Sequence, residues 1–262
     1  MSCLQISHGP VTTVTLHRPE VRNAFNEALI AELRDFARGV PDDGSVRVVV
    51  IQGAGSVFCA GADLQWMSKM IDYSEAQNLA DAREASQMLL ALDSMPVPLV
   101  GRVHGAAMGG GAGLAAICDV VVAAEDAMFG FTEVTLGILP AMISPYVVRK
   151  IGLSNARELC LNGARFTATR AKEIGLVHDV VHLERLDLTV DRHVQQFLRA
   201  APGAVAATKR LLGEVHGRQP ADVLDATAAA IAKQRVSPEG QEGMRAFLER
   251  RAAAWTEPGK AR

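Results

Sequence analysis

The stretch Leu99-Val-Gly-Arg-Val-His-Gly-Ala-Ala-Met-Gly-Gly-Gly-Ala-Gly-Leu-Ala-Ala-Ile-Cys-Asp-Val-Val-Val-Ala-Ala124 decides the fold. Leu99 to Val103 is apolar and rich in valine, as a buried strand requires, and it stands behind the breakers Pro96 and Pro98. A glycine-rich turn follows, then a short apolar helix, and from Asp119 a second apolar run reads as another buried strand. The order strand, helix, strand points to α/β packing with a crossover connection.

Working outward, the N-terminal side repeats the pattern. Val11 to His17 alternates like a half-buried strand, and Asn26 stands where a helix to about Arg38 needs its cap, with Leu29, Ile30, Leu33 and Phe36 facing inward. Val46 to Gln52 is a strand covered on both faces, and Leu79 to Leu92 is a helix. This alternation specifies an α/β fold. From about Asn155 the chain turns helical, over 155–162, 168–175, 183–200, 203–217, 220–234 and 238–254, with one strand at Leu176 to Val181. A boundary near Ala201-Pro202-Gly203 divides a core of residues 1–200 from a helical region of residues 201–262.

The 262 residues are 49% hydrophobic and 21% charged, enough for a large buried core. The formal net charge of −2 offers no basic face for nucleic acid. Cys3, Cys59, Cys118 and Cys160 are widely spaced and form neither a CxxC pair nor a disulfide framework, and no His/Cys/Asp cluster has metal-ligand spacing, so no metal is expected. The N-terminus lacks a signal-peptide pattern and no uncharged stretch resembles a membrane span. A cytoplasmic, soluble protein is the expectation.

The glycine density from Gly105 to Gly113 admits three chemical readings. A Walker A loop fails, because Leu114-Ala115 follows Gly113 where Lys-Ser/Thr is required. A dinucleotide fingerprint fits Gly111-Ala-Gly113-Leu-Ala-Ala116 superficially, but the segment Gly105–Met108 separates it from the strand end at which it should sit. The third reading is an oxyanion hole: amides at a helix N-terminus are free donors, reinforced by the helix dipole. A thioester enolate needs two donors, and the second Gly/Ala turn, Phe58-Cys-Ala-Gly-Ala-Asp-Leu64, can supply the other.

Taken together, Arg22-Asn23-Ala24, Phe58 to Leu64, His104 to Gly111, Cys118-Asp119, Phe129-Gly130 and Gly137-Ile-Leu-Pro140 resemble, in order and spacing, the motifs of the crotonase (enoyl-CoA hydratase/isomerase) family. The resemblance extends through Arg170-Ala-Lys-Glu-Ile-Gly-Leu-Val177 and the helical tail. It implies a spiral of ββα units, a C-terminal trimerisation region, homotrimers or dimers of trimers, and an acyl-CoA substrate, with coenzyme A entering as part of the substrate and no separate cofactor. By position, Ala62 and Gly110 would be the oxyanion donors. Ala24, Ala60, Asp63, Leu64 and Gly109 would line the CoA-facing groove, with Arg22 set to meet CoA phosphates.

Two-glutamate hydratases of this family carry one glutamate just after the triple glycine and another about twenty residues on. Here the first position is Gly113 and the second is Glu133, so the site resembles a one-glutamate member. Among apolar neighbours Glu133 should have a raised pKa suited to proton transfer. One glutamate can isomerise a double bond or hydrate it. The run Leu136 to Lys150 is similar to bacterial methylglutaconyl-CoA hydratase-like members, which favours hydration of a 2-enoyl-CoA such as 3-methylglutaconyl-CoA in leucine breakdown. A Δ3,Δ2-enoyl-CoA isomerase and a non-catalytic acyl-CoA-binding protein are the alternatives. His104 and Asp119 read as structural, Ser144 as a helix N-cap ahead of Pro145, and Met67, Met70, Met108, Met128 and Met142 as core or acyl-pocket fillers.

Overall fold

The computed structural model describes residues 2–256; the last six positions of the C-terminal region assigned from sequence lie outside them. Long valine-rich segments meet in one six-stranded sheet, in the order β1 (Leu4–Ser7), β2 (Val11–Leu16), β3 (Val48–Gly53), β4 (Leu99–Val103), β6 (Val120–Ala124) and β9 (Asp179–Val181). Only the β1–β2 pair is antiparallel. The central strands are buried on both faces: Val48, Val49, Leu99, Val100, Val121 and Val122 are fully enclosed.

A second sheet of three-residue strands packs beside it, in the order β5 (Ala106–Met108), β7 (Met128–Gly130) and β8 (Arg165–Thr167). Cys59 extends it through an isolated bridge to Ala107. The chain therefore repeats one step: a strand in the large sheet, a short strand or bridge in the small one, then a helix. β3, Cys59 and α2 (Leu64–Ile71) make one such unit. β4, β5 and α4 (Gly110–Ile117) make the next, and β6, β7 and α5 (Ser144–Asn162) another. This is the expected spiral of ββα units. It is followed by α6 (Ala168–Glu173), α7 (Leu186–Leu198) and three C-terminal helices, α8 (Pro202–Val215), α9 (Pro220–Val236) and α10 (Pro238–Leu248).

Specific polar contacts tie these parts together. Lys209 of α8 donates to Asp119 Oδ2 at 2.7 Å, and the same oxygen accepts from the Leu99 amide, so Asp119 is structural as expected. Arg47 donates to the carbonyls of Leu198 and Ala200, closing the end of α7 onto the sheet. His178, its pKa pushed down to about 4 by burial, stays neutral and accepts from the Val121 amide through Nδ1. Among the described residues no helix is long and apolar enough to cross a membrane.

Several expectations hold closely. Asn26 caps α1 (Glu27–Gly39) by accepting from the Leu29 amide, and Leu29, Ile30 and Leu33 are buried. The expected helix at 79–92 is α3 (Glu75–Asp93), entered through a capping box from Ser74 to Gln77. Others need correction. The helix expected from 155 begins at Ser144, because Gly152 (φ +75°) kinks it without ending it. Ser144 is not its cap: Ile143 takes that position without a side-chain bond, and the Ser144 hydroxyl donates to the Ala141 carbonyl. Strands β1, β5, β7 and β8 and helix α2 were not expected, the strands being three or four residues long.

Asn23 is fully buried in the left-handed region (φ +56°). Its amide nitrogen donates to the carbonyls of Ala54 and Val57, and its oxygen accepts from the Arg18 amide. Asn23→Ala leaves three partly buried backbone groups without their partner and puts alanine in the left-handed region, and an equilibrium denaturation experiment should show a loss of about 2–4 kcal/mol.

Candidate functional site

The two Gly/Ala turns marked in the sequence meet backbone to backbone. A Cβ placed on Gly61 (φ +95°) would lie 2.9 Å from the Met108 carbonyl oxygen and 3.9 Å from Gly109 Cα, so the approach requires a residue without one. Cys59 N–H donates to the Ala106 carbonyl and Met108 N–H to the Cys59 carbonyl, which stitches the turns into the small sheet. On the other side, Phe25 N–H donates to Gly61 O and Asp63 N–H to Phe25 O, bracketing Ala62. The Phe25 ring also packs 3.2 Å from where a Cβ on Gly110 would stand.

Gly109 lies where the three pieces converge. Its backbone (φ +50°, ψ −120°) is open only to glycine, and its amide is held by the Gly130 carbonyl at 2.8 Å. Helix α4 begins at the next residue. Gly110 is its first position, so its N–H belongs to the unsatisfied first turn and carries the positive end of the helix dipole. Among the described residues neither the Ala62 nor the Gly110 amide has a backbone acceptor. Two donors thus stand on either side of the Gly61–Gly109 contact.

Glu133 completes the cluster. It opens a 3-10 turn, Glu133–Leu136, three residues beyond Gly130, the residue that β7 pairs with Met108. Its Oε1 lies 3.4 Å from where a Cβ on Gly109 would be. Its Oε2 is buried and, among the described residues, has no hydrogen-bond partner. Burial raises its pKa above the ordinary carboxylate range. At Gly113, the position lacking a carboxylate, a Cβ would strike Ile143 Cγ2 at 2.1 Å.

The remaining sequence-assigned residues surround this centre. Arg22 is exposed, in the left-handed region (φ +55°), and its carbonyl accepts from the Ala60 amide. Ala24 is buried, Ala60 is half-buried, and Leu64 is exposed at the start of α2. Asp63 faces inward: its carboxylate caps α2 through the Gln65 amide and pairs with Arg18 at 2.8 Å. Burial would raise that carboxyl, but the Arg18 guanidinium and the Gln65 amide hold it below its ordinary value. Arg18 also donates to the Ala24 carbonyl. Arg18 and Ile143 were missed by the sequence reading, and Asn23 was quoted only as part of a motif, with no role assigned. A charge directly after the β2 alternation and before Pro19 is the one signal that could have pointed to Arg18. His104 is structural, holding the Gly55 carbonyl through Nε2 at 2.9 Å. Cys59 and Cys118, each with its pKa pushed up to about 12 by burial, are held as neutral thiols.

Two backbone amides without backbone acceptors and one desolvated carboxylate are groups that can bind a developing oxyanion and move a proton beside it. The profile of the enoyl-CoA hydratase/isomerase family matches residues 7–258. The 2,3-dehydroadipyl-CoA hydratase of Escherichia coli is 37% identical over 92% of this chain and 93% of its own. AtuE of Pseudomonas aeruginosa superposes with a TM-score of 0.94 at 39% identity, covering 97% of this chain and 100% of its own. An enoyl-CoA hydratase from Shewanella pealeana superposes at 0.92 and 37% identity, covering 97% of this chain and 96% of its own.

Two stability measurements test the geometry. Asp63→Ala removes the α2 cap and the partner of the mostly buried Arg18, for an expected loss of about 3 kcal/mol, and Asp63→Asn, which keeps a capping oxygen, should lose less. Glu133 has a folded pKa above its unfolded value, so the native state binds this proton more tightly and stability falls as pH rises through the folded pKa. Glu133→Gln should therefore raise the melting temperature at about pH 8 and leave it near wild type at about pH 4.

Proposed function

The chain belongs to the enoyl-CoA hydratase/isomerase family, and from that premise we propose that it hydrates a 2-enoyl-CoA with Glu133 as the one acid–base group. The observation that carries this reading is the Glu133 carboxylate against Gly109, its buried Oε2 without a hydrogen-bond partner among the described residues, together with the Ala62 and Gly110 amides. In this reading the two amides bind the thioester oxygen as negative charge collects on it, each contributing about 3 kcal/mol to the transition state. Glu133, ionised, takes a proton from water as the water oxygen bonds to C3. The enolate then collapses, and the same proton passes from Glu133 to C2, which restores the carboxylate. Oε2, which no donor among the described residues satisfies, is suited to hold that water.

The substrate reading is 3-methylglutaconyl-CoA or a similar carboxylated enoyl-CoA. It draws on the likeness of residues 136–150 to methylglutaconyl-CoA hydratase-like sequences, and on a relative whose name specifies a dicarboxylic enoyl-CoA. Ala24, Ala60, Leu64 and Gly109 are assigned to the groove for the CoA moiety, with exposed Arg22 toward its phosphates; Asp63 acts there by fixing the turn. The C-terminal helices are assigned to trimer formation, which would cover apolar side chains that one chain leaves exposed, among them Leu224, Val236 and Phe247. A second reading, Δ3,Δ2-isomerisation by the same glutamate, is favoured by the hydrocarbon that stands where a second carboxylate would be.

The test follows the ultraviolet absorbance of the conjugated enoyl thioester over a panel including crotonyl-CoA and 3-methylglutaconyl-CoA. Wild type should consume at least one of them, and Glu133→Gln should lower kcat by about a thousandfold. The acidic limb of the kcat/KM profile should lie above the ordinary glutamate range, since Glu133 must be ionised to act. Silence on every 2-enoyl substrate with turnover of 3-enoyl substrates would replace hydration by isomerisation.

A further inference from the structure

The Gly113 N–H donates to the carbonyl of Gly109, the glycine that precedes α4, at 3.0 Å, which sets the two glycines one helical turn apart. One side chain stands against each of them. The Glu133 carboxylate stands over Gly109, and Ile143 stands over Gly113, with Cγ2 and Cβ only 2.1 and 2.7 Å from where a Cβ at 113 would be. Ile143 is 3% exposed, and the close atoms sit at its stiff, branched base, which cannot swing aside as the end of a long side chain could.

We infer that Ile143 is a positioning residue for Glu133: it fills the space one helical turn from the carboxylate, so that this wall is hydrocarbon and the centre has room for one carboxylate only. The inference rests on the reading of Glu133 as the acid–base group. Ile143 acts through the environment of that carboxylate and not by touching substrate. It supplies part of the desolvation that keeps the proton on Glu133 to higher pH, and it keeps water from the inner side of Oε2, whose missing partner it helps explain. Other ionisable groups bear on Glu133 from neighbouring elements. The Cys160 thiol of α5 is one, its own ionisation disfavoured by burial and by Glu133. Arg165 of β8 is the nearest cation named beside this strand pair, its stem 3.6 Å from where a Cβ on Gly130 would stand. The comparison below leaves both unchanged.

The experiment titrates Glu133 directly, by carbon-13 NMR of protein carrying side-chain-labelled glutamate, with the signal assigned by its absence in Glu133→Gln. Without substrate, Ile143→Val and Ile143→Ala should lower the midpoint in that order, the alanine variant by about half a pH unit or more, as water reaches the opened wall. A folded Ile143→Ala that titrates with wild type would overturn the inference. Should Ile143→Ala not fold, Ile143→Val decides alone, and an unmoved midpoint is the contradicting result. Because the titration needs no turnover, inactivity of wild type on every enoyl-CoA would sink the hydratase reading without affecting this result.

Discussion

Two stretches of backbone lie closer together at the centre of this protein than any side chain would permit. The contact of Gly61 with the Met108–Gly109 peptide brings two loops from different ββα units to van der Waals distance, and the amides that follow, Ala62 and Gly110, are left without backbone acceptors. Ala62 is exposed and Gly110 half-buried, so both amides lie open to a ligand arriving from solvent. The surrounding structure is arranged to hold that contact. The small sheet fixes Met108 and Gly130, the bonds of Phe25 fix Gly61 and Asp63, and the Arg18–Asp63 pair with Asn23 secures the outer loop to the end of β3.

The electrostatics of the centre are set by what is missing as much as by what is present. Asp63 and Glu133 are both enclosed carboxyls, and burial pushes both upward. Asp63 meets a guanidinium and a helix N-terminus and stays ionised, a structural anion. Glu133 has no such cation: burial outweighs its own backbone amide, which pulls the other way, and Oε2 has no partner among the described residues. A structural carboxylate is satisfied, whereas a proton-transfer carboxylate must remain unsatisfied until substrate or water arrives.

Much of this was legible in the residues. Buried parallel strands announce themselves as long valine runs, and Asn26 reads as a cap because its side chain satisfies a specific orphan amide. The glycine run from Gly105 and the Phe58–Leu64 turn pointed to backbone donors, and Glu133 to the one carboxylate. What escaped was short or non-local. Strands β5, β7 and β8 have three residues each, too few for a period to register. Asp63 reads equally well as a groove residue or a cap, and only the fold shows its Arg18 partner 45 positions away. Ile143 looks like any core isoleucine until the fold sets it against Gly113, a contact between positions that share no local pattern.

The central claim is that the Ala62 and Gly110 amides polarise a thioester while Glu133 moves the proton beside it. The most direct test is exchange of the C2 hydrogens of a saturated acyl-CoA with deuterated water, followed by proton NMR, since it isolates enolisation from every later step. The account predicts exchange catalysed by wild type and lost in Glu133→Gln, with the acyl-CoA still bound. Exchange undiminished in Glu133→Gln, or absent from wild type saturated with acyl-CoA, would contradict it.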